Sequence, residues 1–159
     1  VKPKEEELLE GQDEAAQQNS FWTQSLLAST LQIPQQISVS QVQQISPAAL
    51  AYVGDAIYEL YVRMFYLMPL QRPDTYHRLV VAQVRAETQA LHLRSLTPHL
   101  RDSELDIVRR GRNAATGRSK RVNPEIYQQA TSLETLIGYL YLTDFPRLTE
   151  LLQKLHLDK

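Results

Sequence analysis

No cysteine occurs in the 159 residues, so disulfides and thiolate-held zinc are excluded and a reducing cytoplasm is the expected setting. Nor does the chain contain an apolar run of the roughly 18 residues a membrane span requires, and no signal-peptide pattern opens it. The opening residues are also too acidic for a chloroplast transit peptide, which is poor in acids. Four histidines, His77, His92, His99 and His156, share no metal-ligand spacing with one another and read as surface or hydrogen-bonded structural residues. β-hairpin signals and internal repeats are absent as well, which leaves little room for a sheet. The surplus charge is only −1, too small on average to name a polyanionic partner.

That average hides two opposite blocks. Residues 1–20 set Lys2 and Lys4 against Glu5, Glu6, Glu7, Glu10, Asp13 and Glu14, whereas residues 109–121 hold Arg109, Arg110, Arg112, Arg118, Lys120 and Arg121 and no acid. Positive charge is therefore concentrated where phosphates can use it. Hydrophobic residues at 43% and charged residues at 22% are ordinary globular usage, and the length suits one core. Residues 1–40, rich in Glu, Gln, Ser and Asn, read as an acidic, polar, mobile extension. An all-α domain is expected over 41–159.

Local signals divide that domain into helices. Ser46-Pro47 is an N-cap followed by proline at the first helical position, and the helix so begun should run to about Leu67, where Pro69 and Pro73 close it. Asp74 caps a long helix to about Leu96, ended by Pro98. Asp102 or Ser103 starts a shorter one that stops at Gly111, and residues 111–123 form a polar loop. Asn123-Pro124 opens a helix to about Leu142, and Phe145-Pro146 opens the last.

The first long helix carries the chemistry. Leu50, Val53, Ile57, Leu60 and Met64 form one apolar stripe, and Ala48, Ala51, Tyr52, Val62 and Tyr66 make the other side apolar too. A helix apolar nearly all round is a buried helix. Asp55 lies opposite that stripe among small neighbours, where an ionised carboxylate in an interhelical crevice needs a metal, a cation or several donors. The alternative places Asp55 and Glu59 on a wet face. Glu134 is flanked at helical spacing by Ala130, Thr131 and Gly138, small residues that let another helix approach. If that helix carries Asp55, two carboxylates converge on one cation; otherwise Glu134 is a surface acid. Oxygen-only ligation selects Mg2+, with Mn2+ as a substitute. The basic stretch either solubilises the chain or binds a duplex, and A-form RNA, read by shape, phosphates and 2′-hydroxyls, suits it.

Val53-Gly54-Asp55-Ala56-Ile57 resembles the signature helix of the ribonuclease III endonuclease domain. Residues 109–114 (Arg-Arg-Gly-Arg-Asn-Ala) and 132–139 (Ser-Leu-Glu-Thr-Leu-Ile-Gly-Tyr) follow in the order and spacing of its small subfamily, Mini-ribonuclease III. The resemblance covers about residues 45–155. It implies an all-helical homodimer, metal-dependent cleavage of both strands of double-stranded RNA, and maturation of precursor large-subunit (23S) ribosomal RNA. Asp55 and Glu134 match the catalytic, metal-binding acids. Arg109, Arg110, Arg112 and Asn113 match the basic motif, and Arg118, Lys120 and Arg121 extend the RNA-binding set. Larger family members carry acids where Ala48 and Ala51 stand and an aspartate at Thr131, and they have a separate double-stranded-RNA-binding domain. Glu59 or Glu87 is the candidate to contribute through water. Tyr58, Tyr61 and Phe65 are the first choice for the dimer surface. The competing readings are a non-catalytic helical RNA-binding or ribosome-associated protein, against which the retained acids speak, and a helical adaptor.

Overall fold

The structure is a computed structural model that describes residues 37–115 and 123–157. The extension expected over 1–40 lies almost wholly outside the described residues. Among those described, the chain forms seven α-helices, one 3-10 turn and no strand. They are α1 (Val39–Gln44), α2 (Pro47–Leu67), α3 (Pro73–Val84), α4 (Ala86–Leu96), α5 (Asp102–Ala114), α6 (Pro124–Thr143) and α7 (Phe145–Gln153), with the 3-10 turn at Thr97–His99.

Each helix start that the sequence marks with a side-chain oxygen and a proline forms as marked. Ser46 Oγ accepts from Ala49 N at 3.2 Å, and Asn123 Oδ1 accepts from Glu125 N at 2.8 Å. Asp144 does the same for α7, accepting from Arg147 N at 3.0 Å. These caps satisfy amide groups that the helix itself leaves open.

The central helix is α6, which packs against α1, α2, α4, α5 and α7. Its buried positions, from Ala130 through Leu133, Leu136, Ile137 and Leu140, surround the axis, as the middle element of a helical core requires. The second long helix, α2, is one-sided instead. It buries Leu50, Ala51, Gly54, Tyr58, Val62 and Tyr66, while Val53, Leu60 and Met64 stay exposed. The helix expected to be buried on both sides thus buries one: of the Leu50 to Met64 stripe only Leu50 is fully and Ile57 partly covered, because the inward face is the one that carries Gly54. Tyr58 and Tyr66 reach the core with their hydroxyls bonded: Tyr58 Oη lies 2.8 Å from His92 Nδ1 and 3.1 Å from Gln83 O, and Gln83 Nε2 donates to Tyr66 Oη at 3.2 Å.

Three further expectations are corrected. The helix expected from Asp74 to Leu96 is two, broken at Arg85, whose backbone is extended (φ −69°, ψ 151°). The break is held by Thr88 Oγ1, which donates to Ala82 O at 2.7 Å, and it redirects α4 so that Gln89, Ala90, His92, Leu93 and Leu96 are buried. The Asp74 cap is replaced by Arg72 at the N-cap and Pro73 inside the first turn; likewise Arg101, not Asp102 or Ser103, precedes α5. Finally, α5 runs through Gly111 to Ala114. Gly111 is a packing residue: a Cβ there would lie 2.6 Å from Thr135 Oγ1. A buried ion pair then ties α5 to α7, with Arg147 Nε 2.8 Å from Glu104 Oε1 and Arg147 Nη2 donating to His99 O at 2.7 Å.

Candidate active site

Helices α2 and α6 cross with backbone against backbone. A Cβ on Gly54 would fall 1.8 Å from the carbonyl oxygen of Glu134, and one on Gly138 would fall 2.1 Å from that of Leu50. Only glycine permits such an approach at both points. The crossing places Asp55, next to Gly54, beside Glu134, and both line one open cavity of about 350 Å³. Ala48, Ala51 and Thr131 line the same cavity, with Tyr52 and Tyr127. Short side chains there leave space in front of the two acids.

The pair is electrostatically loaded. Glu134 is half-buried, and its carboxyl is pushed up to about 7, first by loss of water and then by the charge of Asp55, against which a hydrogen bond from Gln89 acts in the opposite direction. Asp55, the more exposed acid, is also raised, by burial and then by Glu59. Asp55 therefore ionises first and Glu134 titrates against it. Among the described residues no group of three or more His, Cys, Asp or Glu side chains is placed to hold a metal. The acids present are a pair, which suits a cation that keeps several waters and takes substrate oxygens.

The Ribonuclease III domain profile matches residues 48–144 of this chain. The chain belongs to the ribonuclease III family. It is an endoribonuclease of the class that acts on double-stranded RNA. It is similar to the Mini-ribonuclease 3 of Synechocystis sp., 61% identical over 116 residues that make up 73% of this chain and 81% of that one. It is also similar to that of Synechococcus sp., 56% identical over 75% of this chain and 86% of the relative. A crystal structure of a Fusobacterium nucleatum protein superposes with a TM-score of 0.64 at 31% identity, covering 70% of this chain and 92% of that chain.

In this ribonuclease III domain the basic motif is helical where a loop was expected. Arg109, Arg110, Arg112 and Asn113 stand on the last turns of α5, and Ala114 and Ala115, which follow, line the cavity of the acids. The motif is not without opposing charge: Arg109 pairs with Asp106 at 2.7 Å. Arg110 turns back on the fold and donates to Gln43 O at 3.4 Å, whereas Arg112 and Asn113 are exposed. Arg118, Lys120 and Arg121 lie outside the described residues. Of the two further acids considered, Glu59 is held by Arg63 and Glu87 is exposed in the first turn of α4; neither lines the cavity. Sequence reasoning missed Gln89, a fully buried neighbour of Glu134. A glutamine in the middle of a helix carries no signal of its own.

Proposed function

We propose that the chain cleaves double-stranded RNA by metal-assisted hydrolysis at Asp55 and Glu134, and that its substrate is precursor large-subunit ribosomal RNA in the cytoplasm. The observation that supports this reading is the pair of carboxylates from two helices on one cavity, with the ionisation of Glu134 opposed by Asp55. Two oxygen-donor acids with small neighbours fit Mg2+ or Mn2+, which require at most one or two protein carboxylates beside water and phosphate oxygens. Such an ion, when bound, supplies an activated water and charge neutralisation on the phosphoryl group. Asp55 and Glu134 would hold the cation, the short side chains of Ala48 and Ala51 would leave room for a phosphate, and Tyr52 and Tyr127 line the same cavity. The decisive experiment incubates purified protein with a duplex RNA and with a precursor ribosomal RNA fragment, each with Mg2+ and with EDTA. Binding without cleavage would turn the reading to a non-catalytic RNA-binding protein.

Two predictions belong to this reading. The first concerns α5: Arg112 and Asn113 meet phosphate and 2′-hydroxyl groups, and Arg109 exchanges Asp106 for phosphate. Replacing Arg109, Arg110 and Arg112 together by alanine is expected to weaken duplex binding for all sequences and to flatten the salt dependence by about 0.9 for each phosphate no longer neutralised. Cleavage at saturating RNA stays near the parental rate, because these arginines act alike on ground and transition states. Affinity titrations at several salt concentrations, paired with single-turnover cleavage, decide it. An unchanged slope would put the RNA elsewhere.

The second concerns assembly. Tyr58, expected at a dimer surface, is 0% exposed, and Tyr61 Oη donates to Leu152 O at 3.0 Å within the same chain. The outward face of α2 instead presents Val53, Leu60 at 48% and Met64 at 60% exposure. We place the homodimer there, as an isologous contact of α2 with its copy, because a continuous apolar helix face on so small a domain calls for cover. Leu60→Glu with Met64→Glu should convert a dimer to a folded monomer in sedimentation at micromolar concentration. A wild-type mass that is already monomeric would reject the dimer.

A further inference from the structure

Gln89 sits in the middle of α4 and is 1% exposed, the only glutamine among the buried polar residues of the described core. A buried amide is costly unless its donors and acceptor are used. Its side chain stands beside the carboxylate of Glu134, whose ionised form it favours, on the helix that packs along α6, and among the described residues no buried side-chain nitrogen or oxygen lacks a partner. One turn further along α4, His92 meets the hydroxyl of Tyr58 at 2.8 Å, and Tyr58 lies three residues beyond Asp55 on α2. The same face of α4 thus meets both helices that carry the acids. Arg85, where the chain breaks before α4, lies four residues from Gln89, and without that break an uninterrupted helix would carry Gln89 along the axis of α3.

We propose that Gln89 is a positioning residue for the acid pair: its amide donor holds the Glu134 carboxylate toward Asp55 and thereby sets the affinity of the pair for a divalent cation. The role follows from the chemistry of the group. An amide N–H fixes one carboxylate oxygen and leaves the remaining lone pairs for a cation. A lysine or arginine in its place would neutralise Glu134 and compete with the ion, and a carboxylate would repel it. Partners of this kind orient ligand groups, and their loss typically lowers metal affinity by about 10- to 100-fold. The inference rests on the assignment of Asp55 and Glu134 as the cation site.

The test replaces Gln89 with methionine, which keeps the length and volume and removes the donor. Mn2+ binding to the free protein is followed by the paramagnetic resonance signal of unbound ion, and thermal melting is recorded in EDTA. The expected result is Mn2+ affinity about 10- to 100-fold below wild type. Cleavage then requires correspondingly more Mn2+, and the rate at saturating ion returns to near the wild-type value. Gln89→Asn, which withdraws the donor by one methylene and keeps the amide, should lose less affinity than methionine and guards against a misfolded first variant. Mn2+ affinity within about twofold of wild type in folded Gln89→Met, or in Gln89→Asn where the methionine variant does not fold, would overturn the proposal, as would a loss that follows the melting temperature instead of the reach of the donor. Asp55→Asn is the control that separates the two levels. If it binds Mn2+ like wild type, the acid pair is not the cation site and the role of Gln89 falls with it; if it loses the ion while Gln89→Met keeps it, only the positioning role falls.

Discussion

Glu134→Gln is expected to lower cleavage of duplex RNA by on the order of 1,000-fold, about 4 kcal/mol of transition-state stabilisation, while making the metal-free protein more stable above neutral pH. The two effects have one cause. The carboxyl of Glu134 is pushed from 4.5 to about 7 by burial and by Asp55, so its charge is a burden in the empty site and an asset only when a cation shares it. Below about pH 4.5 the group is protonated in folded and unfolded chains alike, and its contribution to stability is fully present. Between that pH and about 7 the unfolded chain releases the proton first, so stability falls as pH rises and is lost above 7. The glutamine variant has no such slope. Calorimetric melting in EDTA should show similar melting temperatures for the two proteins at pH 4 and a variant more stable by about 1–3 kcal/mol, a few degrees, at pH 8. Equal melting at both pH values would mean that the Glu134 carboxyl is neither desolvated nor pressed by Asp55. Asp55→Asn should abolish cleavage similarly. The double variant should be little worse than either single one, because two ligands of one ion fail together.

The other large effect is expected at the helix crossing. Gly138→Ala would set a methyl group 2.1 Å from the carbonyl oxygen of Leu50, and Gly54→Ala would set one 1.8 Å from that of Glu134. Both obstacles are helix backbone, which cannot rotate aside as a side chain can. Alanine improves helix propensity by about 1 kcal/mol, yet forcing extra atoms into a packed interface costs about 1–3 kcal/mol and more where backbone must move. The net outcome is a destabilised protein, read as a lower urea midpoint at unchanged slope. Whatever fraction still folds does so with α2 and α6 spread apart, so Asp55 and Glu134 separate and Mn2+ binding weakens along with stability. A Gly138→Ala protein as stable as wild type would show that the helices do not meet backbone to backbone.

The sequence was most informative where a few neighbouring residues settle the outcome. Ser46-Pro47 and Asn123-Pro124 start helices because a cap is a bond between residues two or three apart, and a local motif contains both partners. The small residues beside Asp55 and Glu134 were likewise visible, and with them the prospect of a close helix pair. Which face of α2 turns inward was a different kind of question. Apolar residues occur on both sides, so periodicity could not choose between the Leu50–Val53–Leu60 side and the Leu50–Gly54–Tyr58 side. That choice belongs to α6, whose Gly138 and Glu134 backbone accepts only the face that carries Gly54. The same holds for Gly111, which reads as a helix stop until Thr135 is seen against it, and for the break at Arg85, which no proline or glycine announces. Gln89 is the extreme case. Its meaning lies wholly in the carboxylate it faces, 45 residues further along the chain, and pairings of that range are decided by how helices pack and not by the residues on either side.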